Sequence, residues 1–324
     1  MKPIIYFIAI VFPLFVFSQQ TETYSRYNFQ RYAINPAVGG SSSCWDIRTG
    51  YRKQWLGLKN QPTTLMFSVH KQLGYDETIN EYASVKHGMG VYVYRDQWGH
   101  FQSTALNLSY AIHIRVNRKH YLSAGVFVGV NQMDWRIPLD MADYEYLDTN
   151  DPLLSNGVAM VLPDISPGIY YYSKKSWVGL SAKHIYKLKM SGFGGQIGSP
   201  SPFNPQLYFF AGKQIDAKGY DHSWIPSVHV KYSPITVMPS VDLNLMWLLA
   251  NRVGLGVGYR NFDGFIGMVE LRVSYFRLAY AFDYTTSKLK YGSSNTHEIS
   301  LAIIPCGGGN KKDRYEECPA YGMK

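Results

Sequence analysis

The chain has 324 residues, 17% charged and 15% aromatic, with 27 Tyr, 29 Gly and a formal net charge of +9. Charge is sparse beside the roughly 25% of an average soluble domain, and aromatic and β-branched residues are too plentiful for a disordered chain. Beyond the extreme N-terminus no run reaches the ~20 apolar residues of a spanning helix, which leaves a large soluble β-protein or a membrane β-barrel.

Residues 1–18, MKPIIYFIAIVFPLFVFS, read as a secretory signal peptide: one Lys, an apolar run, then Val16 and Ser18 at the −3 and −1 positions of the cut. No Cys lies near the cut, so no lipoprotein is expected. Residues 19–42 follow as a segment ahead of the first strand. A short helix is expected within 20–35, carrying rings at Tyr24, Tyr27, Phe29 and Tyr32. Pro36 should stop it, because the residue before a proline avoids the helical region. Gly39 and Gly40 then permit a sharp turn into the first strand. The segment is expected to plug the periplasmic mouth and pack on the lumen wall.

From about residue 43 to 304 the pattern has period two, broken by turns rich in Gly, Asn, Asp, Ser and Lys. Leu106, Leu108, Tyr110, Ile112 and Ile114 share one face, as do Phe276, Leu278, Tyr280, Phe282 and Tyr284. About fourteen such segments begin near residues 44, 62, 87, 102, 120, 165, 176, 206, 224, 236, 252, 263, 274 and 294. Segments of about ten residues with one apolar face suit outer-membrane strands, whereas sandwich strands run nearer 5–6 residues. The expected fold is therefore all-β, a transmembrane antiparallel barrel whose even strand count puts both termini on the periplasmic side. Two long connections, 134–163 and 187–205, fall on the external side. Trp135, Tyr144 and Tyr146 give the first of them a composition suited to a protein partner.

With the apolar face toward lipid, the other parity lines a lumen. It holds Asp46, Arg48 and Arg52, then His229, Lys231 and Asp242, then Arg260, Glu270, Arg272, Arg277, Asp283 and Glu298. Acids and bases nearly match, which reads as an internal ionic network; a selective pore would show an excess of one sign. Gly254, Gly256 and Gly258 leave one inner strand face bare, either for a plug lying against it or for strong curvature.

Of three cysteines, Cys306 could pair with Cys318 inside the tail or with Cys44 across the barrel closure. The pattern assigns no catalytic, cofactor or metal-binding residue. There is no GxSxG elbow, P-loop or helical HxxxH pair, and Asn35-Pro36-Ala37 lacks the half-helices of an aquaporin motif. Lys and Arg are scattered, so no nucleic-acid surface is expected; counter-charge for outer-membrane lipid headgroups suits them better.

Residues 28–55, NFQRYAINPAVGGSSSCWDIRTGYRKQW, resemble the N-terminal signature of the PorP/SprF family through Asn35, Pro36, Ala37, Gly39, Tyr51, Arg52, Gln54 and Trp55. The Gly256-Val257-Gly258-Tyr259-Arg260, Tyr280-Ala281-Phe282-Asp283 and Thr296-to-Leu301 stretches agree with the same family. The resemblance implies a non-enzymatic outer-membrane barrel of the type IX secretion and gliding machinery. It also implies partners: translocon and periplasmic ring components, and a large exported cargo, such as a gliding adhesin, bearing a C-terminal sorting domain. Cargo would be held by the external loops or within the lumen. Arg52 and Gln54 are expected to face inward, with Arg52 near Glu298. The tail, residues 305–324, has a Gly307–Gly309 hinge and mixed charge, and suits periplasmic docking. The other function class open to the sequence is an outer-membrane channel or transporter for small molecules.

Overall fold

The computed structural model describes residues 23–73, 85–117, 119–135, 158–185, 204–217, 221–234, 238–261, 263–286 and 295–305. Within them fourteen strands form one antiparallel sheet. They are β1 (Asp46–Lys53), β2 (Thr63–Leu73), β3 (Val85–Trp98), β4 (Phe101–Asn117), β5 (His120–Trp135), β6 (Val158–Ser173) and β7 (Ser176–Lys183). Then come β8 (Gln206–Lys213), β9 (His222–Tyr232), β10 (Ser240–Leu249), β11 (Val253–Arg260), β12 (Gly264–Val273), β13 (Phe276–Thr285) and β14 (Thr296–Ile303). A two-residue bridge, Ile215–Asp216, carries β8 one step further along β9. Each strand pairs with its sequence neighbours, and β1 pairs with β14 from Ile47↔Ile303 to Lys53↔His297, so the sheet closes on itself. Closure gives every strand a partner on both sides, which is what lets a sheet cross lipid. No helix among the described residues is long and apolar enough to cross a membrane.

The alternation seen in the sequence sorts side chains by face. On β12 the burial strictly alternates: Ile266, Met268, Glu270 and Arg272 are buried, while Phe265, Val269, Leu271 and Val273 are exposed. Leu106, Leu108 and Ile114 point outward, as do Phe276, Leu278 and Tyr284. Buried Arg and Glu with exposed Leu and Phe invert the arrangement of a protein in water, and the inversion is stable only where the outer wall meets hydrocarbon. Aromatic rings mark two belts on that wall. Trp45, Tyr171, Trp224, Tyr275 and Phe276 lie toward the rim where even strands hand over to odd ones. Tyr51, Tyr232, Tyr259, Phe265 and Tyr284 lie toward the other. From Phe276 to Tyr284 a strand rises ~27 Å, or ~21 Å when tilted by ~40°, close to the ~25 Å apolar band of outer-membrane barrels.

Strand β6 starts at Val158, seven residues before the alternation suggests, and runs through Pro163 and Pro167. Both are paired with β5, opposite Val130 and Val126. Strand β7 pairs with β6 only from Gly168 to Tyr172, so the missing proline N–H groups face an edge with no ladder to complete. The long connection expected at 134–163 therefore shrinks, and residues 136–157, with Tyr144 and Tyr146, lie outside the described residues. Residues 186–203 of the second long connection, the signal peptide and residues 306–324 of the tail also lie outside them.

Cys44 is half of a disulfide, which excludes a Cys306–Cys318 bond. Cys44 shares a buried cluster with Phe29, Ala279, Ala302 and Ile304, at the seam where β14 ends and β1 begins. Cys306 is two residues from Ile304, so we expect the bond to be Cys44–Cys306. A non-reduced peptide map should show those two peptides linked, and a Cys44–Cys318 peptide in their place would refute it.

Candidate functional site

The lumen is occupied by the chain's own residues 23–44. Phe29 and Gln30 both donate their N–H to Arg26 O, at 2.8 and 3.1 Å, and close a turn ahead of α1 (Arg31–Ile34). The helix is thus one turn long, shorter than the ring pattern suggests, because residues 24–29 fold as turns around wall contacts. Asn35, held extended before Pro36 as the proline requires, accepts the Ala37 N–H at 2.9 Å and caps a single 3-10 turn, Pro36–Val38. Its amide nitrogen donates to Ile169 O (2.9 Å) and Leu180 O (3.2 Å), bridging β6 and β7. Gly40 has φ +78°, the left-handed value its turn requires.

Rings and hydroxyls fix the segment to every side of the wall. Tyr24 bonds the Tyr92 hydroxyl at 2.6 Å, and Tyr32 bonds Ser109 at 2.6 Å. Tyr27 donates to Ser227 at 2.9 Å and stacks on His229, with ring centroids 4.9 Å apart. Each buried phenol therefore has a polar partner as well as an apolar bed. Ser181 and Ser123 donate to Ile34 O and Ala37 O, both at 2.8 Å, and His113 Nε2 lies 2.8 Å from Gly39 O.

Four glycines on the inner wall make room for this segment, two for its backbone and two for the side chains of Tyr32 and Asn35. A Cβ on Gly88 would sit 2.0 Å from Gly39 O, one on Gly125 2.8 Å from Ala37, one on Gly168 2.1 Å from Asn35 and one on Gly90 2.4 Å from the Tyr32 hydroxyl. Gly88→Val should therefore expel the segment. In folded barrels, residues 23–44 should resist protease in the wild type and be cut in the variant. Gly267→Ala, on the outer face with nothing nearer than 3.9 Å to a Cβ, should leave them protected. At the bare strand face of Gly254, Gly256 and Gly258 the nearest side chains are Met246, Met268 and Asn244, which lean over it from β10 and β12.

The opposite half of the wall contributes charge. Arg52 donates to Thr23 O and to Asp283 (3.1 Å), with Glu298 at 3.8 Å. Arg260 pairs with Asp242 (2.7 Å) and Asp283 (3.3 Å) and reaches Tyr24 O. The Ser25 N–H donates to Glu298 at 2.7 Å and its hydroxyl to Asp283. Lower down, Glu270 bridges Arg26 of the segment and Arg272 of the wall. Arg48 grips Asp46 with two nitrogens and donates to Phe29 O. Arg277 is buried within electrostatic reach of Asp46 and Glu270. Charges out of water are stable only when paired and bonded in this way.

The contacts also give a direction. Thr23 is held by Arg52 and Lys231, each next to last in its strand (β1 and β9), and Arg260 ends β11. Gly40 sits instead beside His70 and Gly88, where β2 ends and β3 begins. The segment thus runs the length of the lumen, from the rim of odd-to-even connections to the rim where β1 starts and β14 ends. It does not stay in one mouth, and Thr23 and Ile304 lie toward opposite rims.

A family model described as "Type IX secretion system membrane protein PorP/SprF" matches residues 16–303. The chain belongs to the PorP/SprF family. In this PorP/SprF barrel the family's motif residues divide by location. Asn35, Pro36 and Gly39 build the threaded segment, and Arg52 grips its far end. Tyr51 points outward, Gln54 lies past the end of β1 with its N–H on Pro62 O, and Trp55 takes φ +54° in the following turn with its N–H on Thr296. Gln54 thus does not face the lumen from β1, because that strand stops at Lys53. No curated protein matches the PorP/SprF chain. Among solved structures it is similar to a Pseudomonas aeruginosa FadL homologue (11% identity, 83% of this chain and 92% of that one, TM-score 0.44). It is also similar to the CymD monoaromatic hydrocarbon channel (12%, 86% and 93%, 0.47) and to BamA from Haemophilus ducreyi lacking POTRA domains 1–3 (7%, 82% and 70%, 0.43).

Proposed function

We propose that this PorP/SprF barrel is a sealed outer-membrane holder for exported cargo. A cargo protein's C-terminal sorting domain rests on the rim of odd-to-even connections, which faces outward, and the lumen serves as a rigid support. The tail after Ile304 then lies on the periplasmic side, where ring and translocon components of the machinery meet it, and the N-terminal end points outward. One observation carries this reading: the lumen is already filled by residues 23–44, ion-paired and hydrogen-bonded to nearly every strand. A channel or small-molecule transporter needs that volume. The chemistry present is ion pairing and packing, in keeping with a secretion-system membrane family rather than an enzyme family.

Purification from the native outer membrane tests the proposal. A large exported protein should co-purify in stoichiometric amount and be lost when the 136–157 and 186–203 connections are replaced by short turns. A solitary barrel with open-channel conductance would overturn it.

A further inference from the structure

Strands β3 to β5 run 14 to 17 residues, against 8 to 11 for most of the others, and rise past the aromatic belt on the odd-to-even rim. Along their outer face the residue type changes at one height. Val91 and Val93 give way to Arg95 and Gln97 on β3, Leu108 and Leu106 to Thr104 and Gln102 on β4, and Val128 and Val130 to Gln132 and Asp134 on β5. This is where an apolar wall leaves hydrocarbon and enters the headgroup layer.

The polar side chains there form one cross-strand lattice. Arg95 donates to the Gln102 carbonyl, whose amide nitrogen faces Asp134 at 3.4 Å, and Gln132 donates to the other Asp134 oxygen at 2.9 Å. Beside it opens a cleft of about 170 Å³ lined by Asn60, Gln97, His100, Phe101, Gln102 and Asp134. Trp98 and Phe101 stack at its edge, 6.2 Å between ring centroids. Amide side chains offer a donor and an acceptor side by side, the complement of vicinal hydroxyls. A flat aromatic face suits the C–H side of a sugar ring. The lining carries the Asp134 carboxylate and no Arg or Lys, so a phosphate finds no counter-charge. No group of three metal-ligating residues occurs among the described residues.

We propose that this cleft binds a neutral saccharide at the level of the outer-leaflet headgroups. The outer-leaflet placement rests on the orientation proposed above, while the cleft itself is independent of what cargo the barrel holds. Saturation-transfer NMR on the full-length protein in a sugar-free zwitterionic detergent tests it, with a neutral hexose oligosaccharide such as maltotriose as probe. Signal should appear on the sugar-ring protons. It should fall about fivefold, the worth of one net hydrogen bond of ~1 kcal/mol, in Gln102→Leu. The exposed Gln97→Leu change should give a similar loss where Gln102→Leu disturbs folding. Inorganic phosphate should not displace the probe. Native mass spectrometry separates the sources: a retained lipopolysaccharide adduct, lost in the variants, identifies the headgroup, and oligosaccharide binding without an adduct identifies a glycan from outside. Absent transfer, transfer undiminished in both folded variants, or displacement by phosphate would overturn the proposal.

Discussion

Barrels lacking residues 20–40 should conduct ions in planar bilayers by about tenfold or more above the intact protein. Fourteen strands tilted by ~40° and spaced ~4.8 Å apart enclose a tube ~28 Å across between backbones, of the class that holds water when nothing else fills it. In the intact chain that space contains Tyr24, Tyr27, Phe29, Tyr32 and Ile34, all at most 5% exposed, together with the ion pairs around them. Deletion removes rings and partners at once and leaves Arg52, Arg260 and Glu298 facing water. Conductance of the deletion at the intact protein's level would mean that the wall's own side chains close the tube. It would refute the seal while leaving cargo binding at the rim untouched.

The second large effect concerns Asp283, the junction of the upper network. Its Oδ2 accepts from the Ser25 hydroxyl, from Arg52 at 3.1 Å and from Arg260 at 3.3 Å. Asp283→Leu leaves Arg52 with Glu298 alone at 3.8 Å, while Arg260 keeps Asp242 and Asp263; removing one side of a buried pair costs roughly 3–5 kcal/mol. The folded, heat-modifiable band should therefore disappear at a markedly lower urea concentration. Adding Arg52→Leu should recover part of the loss, since removing both partners is milder than orphaning one. An unchanged midpoint for Asp283→Leu alone would show that water reaches the network and screens it.

Most of the wall was legible in the sequence because lipid imposes a strict rule. Period-two alternation with charge on one parity located all fourteen strands, and only β6, which carries two prolines on an unpaired edge, was displaced by more than a few residues. The charged lumen positions followed from the same parity. Less visible was the imprint of the segment. Gly88, Gly90, Ser109, Ser123, Gly125, Gly168 and Ser181 give one half of the lumen small inward residues, while Arg52, Arg260, Glu270, Arg272, Asp283 and Glu298 give the other half long charged ones. That asymmetry around the ring was the available signal: small residues mark where a backbone lies close, and ionic ones mark where its ends are gripped. Neither Arg26 nor Ser25 carries any period to announce it, because a segment wound inside a tube has no solvent face to alternate with. Its direction along the tube was likewise beyond reach, since it depends on which charged residues stand at which height.

The threading constrains the order of events. A guest gripped from all sides cannot enter sideways through a finished wall, and this one is tethered to the strand that forms one edge of the closing seam. Residues 23–44 are therefore either in place when β14 pairs with β1 or drawn in lengthwise through an open rim. The simpler order wraps the sheet around residues 23–44 and closes the β1–β14 seam last.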